Sequence, residues 1–106
     1  MGTTKSNLFT NRQNKMATLA KALGHPARIA ILEYLIAKGN CVCGDIVDEL
    51  PLSQSTISQH LKAMKAAGII KGEVDGTYRC YCVDEECCAG FKHDISQLFD
   101  RLSNCC

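Results

Sequence analysis

The chain has 106 residues, a formal net charge of +1, 22% charged residues and 46% hydrophobic residues. That length fits one domain, and the apolar share excludes a disordered chain. No stretch approaches the roughly 20 apolar residues that a membrane-spanning helix needs, so no membrane partner is expected.

The charge is uneven along the chain. Residues 1–40 carry six Lys or Arg against one Glu, and residues 83–106 carry two basic against five acidic groups. A basic front and an acidic tail suit nucleic-acid contact through one surface. Met1–Lys15 is polar and lacks the apolar core of a signal peptide, which points to the cytoplasm. About the first twelve residues read as a flexible polar arm on a single domain spanning 1–106. Eight cysteines stand at 41, 43, 80, 82, 87, 88, 105 and 106. In a reducing compartment, paired cysteines point to metal ligands or redox groups rather than structural bridges.

Met16, Leu19, Ala20 and Leu23 fall at i, i+3, i+4 and i+7, one face of a first helix. Gly24 closes it, and Pro26 suits the first turn of the next. His25 precedes that proline, where capping is its expected role. The second helix holds Ile29, Ile31, Leu32, Leu35 and Ile36 on more than one side and is expected to be buried. Gly39-Asn40 ends it. Ile46, Val47 and Leu50 form a short third helix, and Pro51-Leu52-Ser53 makes a tight turn. Ser53 is the expected N-cap of a helix over 54–67, with Ile57, Leu61 and Met64 inward and Gly68 as its stop. Ile69–Val74 and Thr77–Val83 are strand-like, and the Asp75-Gly76 between them is a hairpin signal. Phe91, Ile95, Leu98, Phe99 and Leu102 mark a last helix.

The order is α-α-α-α-β-β-α. It predicts a mainly α, winged helix-turn-helix fold with a β-hairpin wing. The first and last helices keep apolar stripes that one short chain does not easily bury, so a homodimer through them is expected.

On the 54–67 helix the outward positions are Gln54, Ser55, Ser58, Gln59 and Lys62, with His60 nearby. Amides and hydroxyls of this kind read base edges in the major groove, and Lys62 and Lys65 reach phosphates. Lys71 and Arg79 place basic groups on the hairpin. With a helix and turn ahead and a hairpin behind, this face is expected to bind double-stranded operator DNA. There is no Gly-rich phosphate loop, nucleophile–base motif or carboxylate pair, so no enzyme is expected.

The segments "KALGHPARIAILEYL" and "SQSTISQHLKAMKAAGIIKGEVDGTYRCYCV" resemble the ArsR/SmtB family of metal-responsive repressors, over roughly residues 16–83. The resemblance implies a homodimeric repressor that binds a palindromic operator without a cofactor and leaves it when metal binds. It also gives Cys41-Val-Cys43 a role. The arsenic and cadmium/lead sensors of that family carry Cys-Val-Cys at the start of the third helix. Cys41 and Cys43 are therefore expected as soft thiolate ligands for an inducer, As(III) or Sb(III).

The family's third cysteine, one turn on, is Ile46 here. Either a third sulfur comes from one of Cys80, Cys82, Cys87, Cys88, Cys105 and Cys106, or binding uses two. Cys80 and Cys82 share a strand face, which suits co-ligands or strand packing. Cys87-Cys88 and Cys105-Cys106 are vicinal pairs. Only His93 and Asp94 represent the family's zinc site on the last helix, so that site is not carried over. Two alternatives stay open: the same repressor sensing Cd, Pb or another thiophilic ion, and a metal-free thiol-redox sensor.

Overall fold

The computed structural model describes residues 6–44, 50–73 and 79–103. A 3-10 turn at Ser6–Leu8 leads into α1 (Asn11–Ala22), α2 (Pro26–Ala37), β1 (Cys41–Cys43), α3 (Gln54–Ala67), β2 (Ile70–Glu73), β3 (Cys80–Val83) and α4 (Glu85–Ser103). The expected short helix at Ile46–Leu50 falls mainly on residues 45–49, outside the described residues. Asp75-Gly76, Cys105 and Cys106 lie outside them too.

α1 begins at Asn11, with Thr10 as its N-cap. The Thr10 hydroxyl accepts the Gln13 N–H, and the Gln13 side chain accepts the Thr10 N–H, both at 3.0 Å. This reciprocal cap satisfies two of the donors a helix start leaves open. α2 starts where Pro26 predicts, with the His25 Nδ1 accepting the Ala27 N–H at 3.0 Å.

α2 ends in two left-handed residues, Gly39 (φ 83°) and Asn40 (φ 77°). Glycine takes that conformation freely and asparagine more readily than most. The turn sends the chain out extended along β3. The Val83 N–H donates to the Asn40 carbonyl and the Gly44 N–H to the Arg79 carbonyl, each at 2.8 Å. β2 and β3 pair antiparallel as the expected wing, and β1 joins the other edge of β3 to give a three-stranded antiparallel sheet of order β1-β3-β2. One expectation is corrected here. Cys41 and Cys43 are strand residues, not the opening residues of a helix.

α3 covers the residues predicted. The Ser53 hydroxyl accepts the Thr56 N–H at 3.3 Å, and Gly68 closes the helix at φ 92°. Ile57, Leu61 and Met64 are fully buried, with Ile31, Leu35, Ile70 and Tyr81 around them. Each such side chain contributes roughly 1.5–3 kcal/mol of transfer free energy. α1 packs on both α3 and α4.

α2 is less enclosed than its composition predicts. Ile31 and Leu35 are buried, but Ile29 and Ile36 are exposed, Ile36 by 62%. Among the described residues, no helix is long and apolar enough to cross a membrane.

A candidate DNA-reading helix and a four-cysteine face

The predicted DNA-facing side chains of α3 divide into two groups. Gln54, Ser55, Gln59, Lys62 and Lys65 are exposed and Ser58 is half-buried. Ser55, Gln59 and Lys62 lie on the side away from Ile57, Leu61 and Met64, and Gln54, Ser58 and Lys65 flank that buried stripe. Lys71 is exposed on β2, and Arg79 is half-buried just ahead of β3. These groups offer amide and hydroxyl partners for base edges and cations for phosphates.

His60 departs from the expectation. It is 9% exposed and turned into the protein. Its Nδ1 accepts the Arg28 Nε–H at 3.0 Å, and its ring lies 4.5 Å from that of His25, centroid to centroid. Arg28 also donates to the Ala22 carbonyl at 3.1 Å. One guanidinium thus ties the end of α1 and the start of α2 to α3. Burial lowers the His60 pKa, and the neighbouring His25 and Arg28 lower it further. The imidazole is therefore held neutral and free to accept from Arg28. The signal was present in the spacing: 57, 60, 61 and 64 complete the i, i+3, i+4, i+7 pattern of the buried stripe.

The cysteines assemble on the sheet. β1 and β3 pair antiparallel with Cys41 opposite Cys82, Val42 opposite Tyr81, and Cys43 opposite Cys80. The hydrogen bonds flanking β1 join residue 40 to 83 and residue 44 to 79. Both cysteine pairs therefore occupy the non-hydrogen-bonded positions, where facing side chains come closest. Each pair has its Cα atoms 4.0 Å apart, and each is joined as a disulfide, Cys41–Cys82 and Cys43–Cys80.

The period of two places all four sulfurs on one face. Val42 and Tyr81 point the other way, into or against the core. Lys71 stands opposite Cys82 and Glu73 opposite Cys80 on the far side of β3.

Cys87 and Cys88 are the free cysteines among the described residues. They sit in the first turn of α4, which Asp84 caps by accepting the Cys87 N–H at 3.1 Å. Burial, Cys87 and Asp84, in that order, raise the Cys88 pKa. Cys88 is thus kept as a neutral thiol, with its Sγ 3.9 Å from the Ile69 carbonyl.

Residues 25–71 match the family described as bacterial regulatory proteins of the arsR family. An HTH-type transcriptional regulator of Methanocaldococcus jannaschii is 42% identical over 92 residues, covering 86% of this chain and 98% of that protein. The chain belongs to the ArsR family. The arsenical resistance operon repressor of Bacillus subtilis is 34% identical over 87 residues, 81% of this chain and 78% of that one. An ArsR-like regulator from Rhodococcus shares the fold with a TM-score of 0.71 at 18% identity, covering 90% of this chain and 89% of that one. As an ArsR-family protein the chain is a DNA-binding transcriptional regulator and not an enzyme. Its fold is the winged helix-turn-helix of that family, with β1 as the third strand of the sheet.

Proposed function

We propose that the chain is a cytoplasmic transcriptional repressor that binds operator DNA as a homodimer and is released by As(III) or Sb(III). No cofactor is required for DNA binding. Gln54, Ser55, Ser58 and Gln59 read bases, and Lys62, Lys65, Lys71 and Arg79 hold the phosphate backbone. Cys41 and Cys43 are ligands for the inducer, and the third sulfur comes from Cys80 or Cys82. The observation that carries this reading is the strand register, which sets Cys82 and Cys80 directly across from Cys41 and Cys43. The donor set is all sulfur, which suits a soft ion in preference to Mg or Ca. In this role the sulfurs act as reduced thiolates. β1 leads toward the reading helix and β3 belongs to the wing, so a ligand bridging them bears on both DNA-contacting parts. The resemblance to a protein named as an arsenical resistance operon repressor supports the choice of ion.

Dimerisation rests on an apolar face. Leu98, Phe99 and Leu102 of α4 are 40%, 59% and 50% exposed. Leu98 and Leu102 line a groove against α1, with Met16 and Gln13 on its other side. Two copies present two reading helices to a palindromic site.

The fourth sulfur favours one second reading, a soft divalent ion such as Cd(II), for which four thiolates are a suitable set. Operator binding by the reduced protein, titrated with arsenite, antimonite, Cd(II), Pb(II) and Zn(II), tests the proposal. Release at the lowest concentration by arsenite or antimonite is expected. Release by Cd(II) alone would shift the assignment to the second reading, and release by none of them would overturn metal control.

A further inference from the structure

We propose that the four-cysteine face is a reversible thiol–disulfide modification site whose co-reactant is a small-molecule disulfide, and that closing it withdraws the inducer's ligands. The inference rests on the reading of that face as the inducer site. Three observations carry it. First, the register makes two separate bonded pairs, Cys41–Cys82 and Cys43–Cys80, without moving either strand. Second, Cys41 and Cys43 are exposed while Cys80 and Cys82 are half-buried. An oxidant therefore meets β1 first, with a resolving sulfur directly behind each target. Third, the sulfurs occupy the sheet face opposite Val42 and Tyr81. Opening either bond removes no apolar contact from the core.

The chemistry balances as two thiol–disulfide exchanges per pair. The thiolate of Cys41 attacks one sulfur of the small-molecule disulfide. A mixed disulfide forms and one thiolate leaves. The sulfur of Cys82, having lost its proton to solvent, then attacks Cys41 Sγ, forms the cross-strand bond and expels the second thiolate. Two protein thiols are oxidised and one small-molecule disulfide is reduced to two thiols. Cys43 and Cys80 repeat the sequence. Excess small-molecule thiol runs both exchanges backwards. With all four sulfurs bonded to one another, no thiolate remains on this face for a soft ion, so the oxidised repressor stays on its operator in the presence of arsenite.

The test uses the full chain, reduced without oxygen and divided. One half is oxidised with glutathione disulfide. Remaining thiols are alkylated, and linkages are mapped by peptide mass. Arsenite and Cd(II) binding to both halves is measured by equilibrium dialysis. The expected result is Cys41–Cys82 and Cys43–Cys80 linkages, Cys87 and Cys88 still alkylated, and loss of ion binding that returns on re-reduction. Linkages formed elsewhere, or an oxidised chain that binds either ion as the reduced one does, would overturn the proposal. A reduced chain that binds Cd(II) but not arsenite fails the arsenite assignment instead, and the Cd(II) measurement still decides the gate. A reduced chain that binds neither ion overturns the gate together with the inducer site.

Discussion

His60 shows how one side chain can be read for the wrong partner. It belongs to the stretch read as DNA-facing, yet it accepts a hydrogen bond from Arg28 of α2. The consequence is a dependence on pH. The folded His60 binds its proton less readily than an exposed imidazole. As pH falls below about 6.5 the unfolded chain takes up that proton first, so the folded state loses stability there and not at higher pH. Thermal unfolding followed from about pH 7.5 down to pH 5 should show this loss. In His60→Asn, whose amide oxygen replaces the Nδ1 acceptor, the loss should be shallower. Equal slopes would place the acid sensitivity elsewhere. The exposed face of α3 carries a different expectation. Gln59→Ala should weaken operator binding by about 1–3 kcal/mol and random-sequence binding far less. Lys62→Ala should weaken both and flatten the salt dependence. Equal losses on the two DNAs for Gln59→Ala would remove it from the base-reading set.

At the scale of elements, the sheet is where sequence and structure part company. α3 was legible to the residue because Ser53, Gly68 and the 3.6-residue stripe all agree. β1 was not, because three residues carry no periodicity that separates a strand from a helix start. The information lay in long-range pairing. Two Cys-x-Cys segments, each with a period of two, place four sulfurs on one face once both are strands. Nothing local in Cys41-Val-Cys43 discloses its partner. The β2–β3 ladder depends on one further residue. Gly72 has φ 114°, and a Cβ there would run into the Cys80 carbonyl oxygen and the Tyr81 Cα, 2.9 Å away in the latter case. Gly72→Ala should therefore separate β2 from β3 and destabilise the fold by about 1–3 kcal/mol. It should also weaken phosphate contacts from Lys71. A variant with wild-type melting temperature and wild-type salt dependence would contradict this account of the wing.

At the scale of the whole molecule, the apolar stripe of α4 was legible, and so was its neighbour in α1. The exposure of Ile36 on α2 was not, because a run of apolar residues does not say which of them the other helices reach. Leu98→Glu should give monomers by sedimentation and lose most operator affinity, since half a site is left unread. A wild-type protein that sediments as a monomer at micromolar concentration would require another use for that stripe. The disulfide-bonded form has its own global property. Cys41 and Cys82 are 41 residues apart and enclose α3 and the wing. A loop of that length restrains the unfolded chain by on the order of 4 kcal/mol in the chain-entropy view. Oxidation thus stabilises the folded DNA-binding half against unfolding, while reduction frees the sulfurs. The central claim is that those sulfurs control the DNA. Its most direct test is operator binding by reduced Cys41→Ser and Cys43→Ser proteins, titrated with arsenite. Serine keeps size and polarity on an exposed strand, so both variants should bind the operator as the wild type does. Each loses a soft ligand that a hydroxyl does not replace, so the coupling of typically about 1–3 kcal/mol behind release should largely vanish. Arsenite should then leave both variants on the DNA. Release of both at the wild-type arsenite concentration would contradict the account and place the sensing site outside the four-cysteine face.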